Sequence, residues 1–216
     1  MKNVFKQLYF KFKYKHIKKE KYKKLKISKN KKILILSPHP DDEIFYCFGV
    51  LKNSPKKNIN IICLTNGNNY KRKKEFISVM KKLKILNFTI LNNQEGNIKI
   101  PKNINLSKYD YIFTPNYKNN HVDHFYANYL LKSKINELKL NIKIFYYEDN
   151  GTLENPTHYI DISKDLKLKF NCIKKYKSQL NGKFNFLDHI YSLNNYRGTL
   201  INSNFAEFYQ LVNKEN

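Results

Sequence analysis

Residues 33–43 read ILILSPHPDDE, and this stretch restricts the fold of the chain more than any other. Its first five residues form an apolar-leaning run of the kind that becomes a buried strand. The run enters Pro38-His39-Pro40-Asp41-Asp42-Glu43, where two prolines stiffen the turn and one imidazole is set beside three carboxylates. Burying such groups unpaired costs too much for a core, whereas the same set is suited to holding a metal ion.

The remaining chain repeats a strand-then-helix rhythm. A helix opening at Asp41 or Asp42 has acids in its first turn, where the helix dipole favours them, and runs to Lys52. Residues 58–65 (NINIICLT) form a second buried strand, closed by the turn signal Asn66-Gly67-Asn68. Within 72–85, Phe76, Val79, Met80 and Leu83 recur at helical spacing. Further strands are expected at 88–91, 109–114, 142–147 and 157–162, with helices from Asp123 or His124 to Leu138 and over 166–180. The segment 187–212 reads as mostly helical, broken around Arg197-Gly198. This alternation predicts an α/β fold, a three-layer α/β/α sandwich around a mostly parallel sheet, with ligands beyond the carboxyl ends of the strands.

At 216 residues the chain suits one well-buried domain, here 31–216, after a basic and aromatic appendage over 1–30. Through residue 32 fourteen lysines alternate with Phe, Tyr, Leu and Ile against a single acid, Glu20, which is about half of the net charge of +24. That mixture suits an anionic membrane surface, and equally a plain solvated extension. The charge also raises nucleic acid as a partner. Only two arginines are present, Arg72 and Arg197, and base-reading or phosphate-clamping surfaces favour arginine, so no specific nucleic-acid partner is expected. Cys47, Cys63 and Cys172 are odd in number and set among apolar residues, as in a reducing compartment. No apolar run approaches the ~20 residues that span a bilayer, and no signal-peptide pattern is present. A cytoplasmic protein, at most peripheral to the membrane, is expected.

A second unusual segment, YKNNHVDHFYAN from Tyr117, sets His121, Asp123 and His124 soon after the strand at 109–114. Alone, a His-x-Asp-His at a helix start is commonly a cap, and a Pro-His-Pro-Asp a turn. Together, at the ends of two strands, they gather three of the six histidines with Asp41, Asp42 and Glu43. A mixed His/Asp set suits a borderline ion such as Zn²⁺ with one position left for water. A spare carboxylate then serves as general base and a spare imidazole as partner for an oxyanion. His16, His158 and His189 lack such a context.

The segments PHPDDE at 38–43 and HVDH at 121–124 resemble the paired signatures of the LmbE-like or PIG-L-like zinc N-deacetylases. The resemblance runs from about Lys31 to Phe208 and takes in Thr65-Asn66-Gly67, Arg72-x-x-Glu75, Thr114-Pro115, Ser178-Gln179, Arg197-Gly198 and Ala206-Glu207-Phe208. The two-part signature is specific; the later matches are individually soft. The resemblance implies a Rossmann-like sandwich, one Zn²⁺ held by His39, Asp42 and His124, and Asp41 as the general base that activates water. It further implies that His121, oriented by Asp123, stabilises the oxyanion or protonates the leaving amine. Arg72 and Asn68 are expected at the substrate, and Glu43 as a brace for the loop. The implied reaction removes the N-acetyl group of an amino sugar carried on a nucleotide, a lipid or a thiol conjugate. There are departures: Val122 stands where many relatives have proline, and Asn119-Asn120 where some have an aromatic or acidic residue followed by glycine. Two other readings fit the sequence, a basic polyanion- or membrane-surface-binding protein with a non-catalytic deacetylase-like domain, and a hydrolase of a non-sugar amide.

Overall fold

The computed structural model describes residues 21–212 apart from 67–68, 102, 119–120, 150–151, 181 and 183. Residues 1–20 of the appendage, the expected substrate residue Asn68, and Asn119 and Asn120 therefore lie outside the described residues.

The strands are β1 (Lys23–Lys24), β2 (Ile33–Ser37), β3 (Ile59–Thr65), β4 (Phe88–Asn93), β5 (Tyr111–Pro115), β6 (Lys143–Tyr147), β7 (His158–Asp161) and β8 (Ala206–Leu211). They form one eight-stranded sheet in the order β1-β7-β8-β6-β5-β2-β3-β4. Every pairing is parallel except those of β8 with β6 and β7. The helices are α1 (Asp42–Asn53), α2 (Tyr70–Leu83), α3 (Val122–Glu137), α4 (Leu166–Ile173), α5 (Lys177–Leu180) and α6 (Phe186–Thr199).

The run ILILS shows why the layers form. All five residues of β2 are buried, and because side chains alternate across a strand they enter two cores. Ile33 and Ile35 pack with α1 and with Phe76, Val79, Met80 and Leu83 of α2, the face expected from the sequence. Leu34 and Leu36 pack with Ile112 of β5 and with Ala127, Leu131 and Ile135 of α3. Each such aliphatic contributes roughly 1.5–3 kcal/mol by leaving water, and a polar substitution in β2 would disturb a core on one face or the other.

The strand order positions the site. From β2 the chain adds β3 and then β4 on one side, and β5 then pairs with β2 on the other. The switch thus falls between β2 and β5, and the two histidine segments leave the carboxyl ends of these strands, where a crevice opens in sheets of this type.

Three elements differ from expectation. Residues 206–211 are a strand, not the tail of a helix; they fill the slot between β6 and β7, and Ala206 to Tyr209 are all buried, so no polar-apolar alternation marked them. The 166–180 amphipathic stretch is two helices separated by a turn at 174–176. Lys23–Lys24, inside the stretch read as an appendage, pairs with β7 at the sheet edge. Among the described residues no helix is long and apolar enough to cross a membrane.

Candidate active site and metal centre

The turn after β2 is tied down before any ligand is considered. Ser37 Oγ donates to the His39 carbonyl at 2.6 Å, and the Pro38 carbonyl accepts from both the backbone N–H and the hydroxyl of Thr65 at the end of β3, each at 3.0 Å. Asp41 caps α1 with φ 144°, ψ −29°, a region that non-glycine residues enter at a cost of about 1–3 kcal/mol. Its carbonyl accepts from Ile44 and Phe45, so helix formation holds the strained residue in place. Glu43 is fully buried beneath the turn. Tyr176 Oη donates to its Oε1 at 2.5 Å, and the Asp41 N–H and Ser37 hydroxyl reach Oε2 at 3.1 and 3.2 Å. Burial pushes its carboxyl up to about 8. Its contacts are all with the turn and with Tyr176, none with the cavity above.

Three atoms converge above this turn. His39 Nδ1 lies 3.2 Å from His124 Nε2, and Asp42 Oδ2 lies 3.5 Å from the first and 3.4 Å from the second. Ligands about 2.0–2.1 Å from a tetrahedral ion are separated by roughly 3.3 Å, so this triangle has the size of one face of a zinc site. The tautomers agree. His39 Nε2 meets Asp123 Oδ2 at 3.0 Å and His124 Nδ1 meets Asp149 Oδ2 at 3.3 Å, so each of these nitrogens carries the ring proton and donates it to the carboxylate, turning the other nitrogen's lone pair into the triangle. Two lone pairs facing each other at 3.2 Å require a positive charge between them. Burial by itself lowers the basicity of both rings, but carboxylate neighbours outweigh it, raising His39 to about 9 and His124 to about 10. Asp42, despite burial, is held well below the usual carboxylate range by the two imidazoles. The residues present therefore fit a divalent cation.

His121 also stands close. The ligand atoms of His39, His121 and His124 all lie within 4.8 Å of one another, so a three-histidine set is geometrically open. We favour Asp42 as the third ligand, because its separations of 3.4 and 3.5 Å are the tighter match and its charge is already bound to both rings. His121 is exposed at the helix start, where its Nδ1 accepts from the Asp123 N–H at 3.3 Å, leaving Nε2 to carry the proton. Burial and the two neighbouring imidazoles lower its pKa, so it is neutral at pH 7.

Two of the expected site residues have further partners. The sequence expectation has Asp123 orienting His121. Its backbone N–H donates to His121 Nδ1, while its carboxylate binds His39 Nε2 and accepts the Gly96 N–H at 2.8 Å, because the first turn of α3 aims it back at the end of β2. The expectation also has Arg72 at the substrate. It lines the cavity, but with its side chain only 12% exposed its Nη2 donates to Asp41 Oδ2 at 2.7 Å, Nε to the Pro40 carbonyl at 3.1 Å and Nη1 to Glu95 at 3.3 Å. Burial raises Asp41 to about 6, partly offset by the Arg72 cation.

The cavity over these groups measures about 160 Å³ and is lined by His39, Asp41, Asp42, Phe45, Tyr46, Arg72, Glu95, His121, His124, Gln179 and Phe186. A larger hollow of about 480 Å³ opens beside the amino-terminal ends of β3, β4 and β5, but its lining, which includes Lys32, Lys57 and Lys108, contains no acid or imidazole and cannot host this chemistry. The late sequence matches meet near the site: Ser178 Oγ donates to Glu75 at 2.5 Å, and Gln179 reaches the cavity.

Sequence reasoning missed Asp149 and Glu148 beside it. Glu148 and Asp149 directly follow β6, the third strand to end here, and acids at a strand end were the available signal. Arg197 of α6 binds buried Glu148 through Nε at 2.8 Å and through Nη2, which also reaches the Leu153 carbonyl. That anchor fixes the segment carrying Asp149.

No curated protein matches the chain by sequence. Among solved structures, a conserved protein from Thermus thermophilus superposes with a TM-score of 0.71 at 20% identity, covering 86% of this chain and 96% of that one. The N,N'-diacetylchitobiose deacetylase of Pyrococcus horikoshii gives 0.67 at 18% identity, covering 84% of each chain. The 4-carboxy-2-hydroxymuconate hydratase of Pseudomonas putida gives 0.68 at 13% identity, covering 86% and 98%. These likenesses establish the fold. The family model described as PIG-L, GlcNAc-PI de-N-acetylase, matches residues 34–135, the span from β2 through α3 that contains both histidine segments. Over that span, just under half of its length, the chain is similar to the PIG-L family.

Proposed function

We propose that this protein is a zinc-dependent hydrolase that removes the N-acetyl group from an N-acetylated amino sugar, releasing acetate and a free amine. The observation that carries this reading is the His39–Asp42–His124 triangle, with both imidazole tautomers set by carboxylates and Asp41 lining the same cavity. Zn²⁺ bound by these three residues supplies a Lewis acid for the amide carbonyl and lowers the pKa of water toward neutrality. Asp41 takes the attacking water's proton on Oδ1, Oδ2 being held by Arg72, and later delivers it to the leaving nitrogen as the C–N bond breaks. His121, neutral and protonated on Nε2, donates that N–H to the oxyanion that develops on the carbonyl oxygen. Phe45, Tyr46 and Phe186 supply apolar wall to limit water around the reacting amide.

The lysine-rich stretch at 1–30 favours a phosphorylated or lipid-linked carrier for the sugar, and deleting 1–20 should then weaken co-sedimentation with anionic vesicles. The same fold in a hydratase raises a second reading, addition of water to a carbon–carbon double bond. The deciding experiment is acetate release by the zinc-loaded protein over a panel of nucleotide-linked, lipid-linked and free N-acetyl hexosamines. Release abolished by Asp41→Asn is expected; no release from any member defeats the deacetylase reading.

A further inference from the structure

The helix that bears the site's acids is interrupted by a buried ion pair for which the reaction has no use. α1 leaves helical geometry at Cys47, with φ −125° and ψ 17°. In a regular helix the Gly49 N–H and the Phe45 carbonyl, four residues apart, are each other's partners. Here each has a charged partner: Gly49 N–H donates to Glu207 Oε2 at 2.7 Å, and the Phe45 carbonyl accepts from Lys169 Nζ at 2.7 Å. Lys169, from α4, and Glu207, from β8, are joined at 2.8 Å with side chains 0% and 2% exposed. The remaining bonding capacity is used as well, since Lys169 donates to Asn194 Oδ1 at 2.7 Å and Tyr209 Oη donates to Glu207 Oε2 at 2.6 Å. Position 49 must be glycine for this approach: a Cβ there would sit 2.9 Å from both Glu207 Oε2 and a methyl of Ile160.

We infer that the Lys169–Glu207 pair is a positioning device, which by occupying one rung of α1 holds the helix kinked at Cys47 and so sets where Asp42, Phe45 and Tyr46 stand in the site. The argument rests on energetics and leverage. A buried ion pair loses so much hydration that well-packed apolar replacements are commonly neutral or stabilising, so stability alone gives this pair little purpose. From Cys47 back to Asp42 the helix is a lever of about 7.5 Å, and a change of about ten degrees at the kink moves Asp42 by roughly 1 Å. An error of that size in a reacting group can cost about 100-fold in rate. Removing both charges lets the Phe45 carbonyl and Gly49 N–H pair with each other and the helix straighten.

The metal-binding arm of the test stands apart from the proposed reaction; the kinetic arm rests on it. In the full chain, Lys169→Met/Glu207→Leu is compared with wild type for melting temperature, for zinc affinity by competition with a chromophoric chelator, and for kcat and KM in acetate release. The expected result is a melting temperature at or above wild type together with a zinc Kd raised about 10–100-fold, the range found when groups supporting metal ligands are lost, and a fall in kcat larger than any rise in KM. A folded variant with wild-type zinc affinity overturns the inference. Lys169→Leu/Glu207→Met, which frees both the Gly49 N–H and the Phe45 carbonyl with side chains of a different shape, secures the test if the first variant fails to fold: a raised Kd supports the inference and an unchanged one overturns it. Wild-type protein that binds zinc but releases no acetate defeats the deacetylase reading and leaves this one standing.

Discussion

Between His39 Nδ1 and His124 Nε2 the site holds a positive charge, and at neutral pH a proton serves, since both imidazoles sit above their ordinary range. Zn²⁺ must displace it. Apparent zinc affinity should therefore climb with pH, up to about tenfold per unit for each proton released, and level off above about 9–10 where the pair is already deprotonated. Titration calorimetry in buffers of differing ionisation heat measures that proton directly. Single substitutions separate ligand from catalyst: His124→Gln should lose tight zinc binding, whereas His121→Gln should keep it and lose about 10²–10³ in kcat. Loss of tight zinc binding in His121→Gln would establish the three-histidine set instead. Asp41 acts as a base only when ionised, so kcat should fall as pH drops through about 6, and further down the scale once the cation's charge is beside it. The proposed ligands and base were legible in the sequence because the chain writes them in two short segments. Asp149, Lys169 and Glu148, the partner of Arg197, were not, because their partners lie 25, 38 and 49 residues away and only the fold brings them together.

At the scale of elements, α6 and the segment after β6 hold each other through Arg197 and Glu148. Burial already pushes Glu148 up, with the guanidinium opposing it. Arg197→Met should therefore cost about 3–5 kcal/mol, most of it from an uncompensated buried carboxylate, and the double variant Arg197→Met/Glu148→Gln should recover much of the loss in chemical denaturation. The strands and helices that carried strong periodicity, β2, β3 and α2, stand where the sequence placed them. β8 was read as helix for a physical reason: AEFYQL lacks β-branched residues and is buried without alternation over its first four positions, so propensity pointed one way and the vacant place between β6 and β7 decided the other. Lys169 was hidden similarly, on the apolar face of α4 three residues after Leu166 and four before Ile173, where a lysine reads as drift until its partners are seen.

For the whole molecule, the layered α/β architecture follows from the alternation of strands and helices, and the site from the switch in strand order between β2 and β5. Because the proposed metal ligands come from both sides of that switch, zinc should brace the sheet as a unit. At about 100 times its dissociation constant the ion would add about 2.7 kcal/mol, or roughly 5–10 °C in melting temperature for a domain of this size, and a chelator should remove the gain in differential scanning calorimetry. An unchanged melting temperature would place the ion, if bound, outside this interface between strands.

Among the described residues the β1–β7 edge reaches the other strands only through β8, which runs antiparallel between β7 and β6. In a chain emerging from the ribosome the sheet therefore cannot close until residues 206–211 are made, and an edge strand from near residue 23 must wait for one some 180 positions later. Contacts of such long range form slowly. Glu207 arrives on that same last strand, so the kink in α1 is set at the final step of assembly. A nascent chain thus carries all the side chains proposed to hold the metal well before it can arrange them, which would make catalytic competence a late checkpoint of folding.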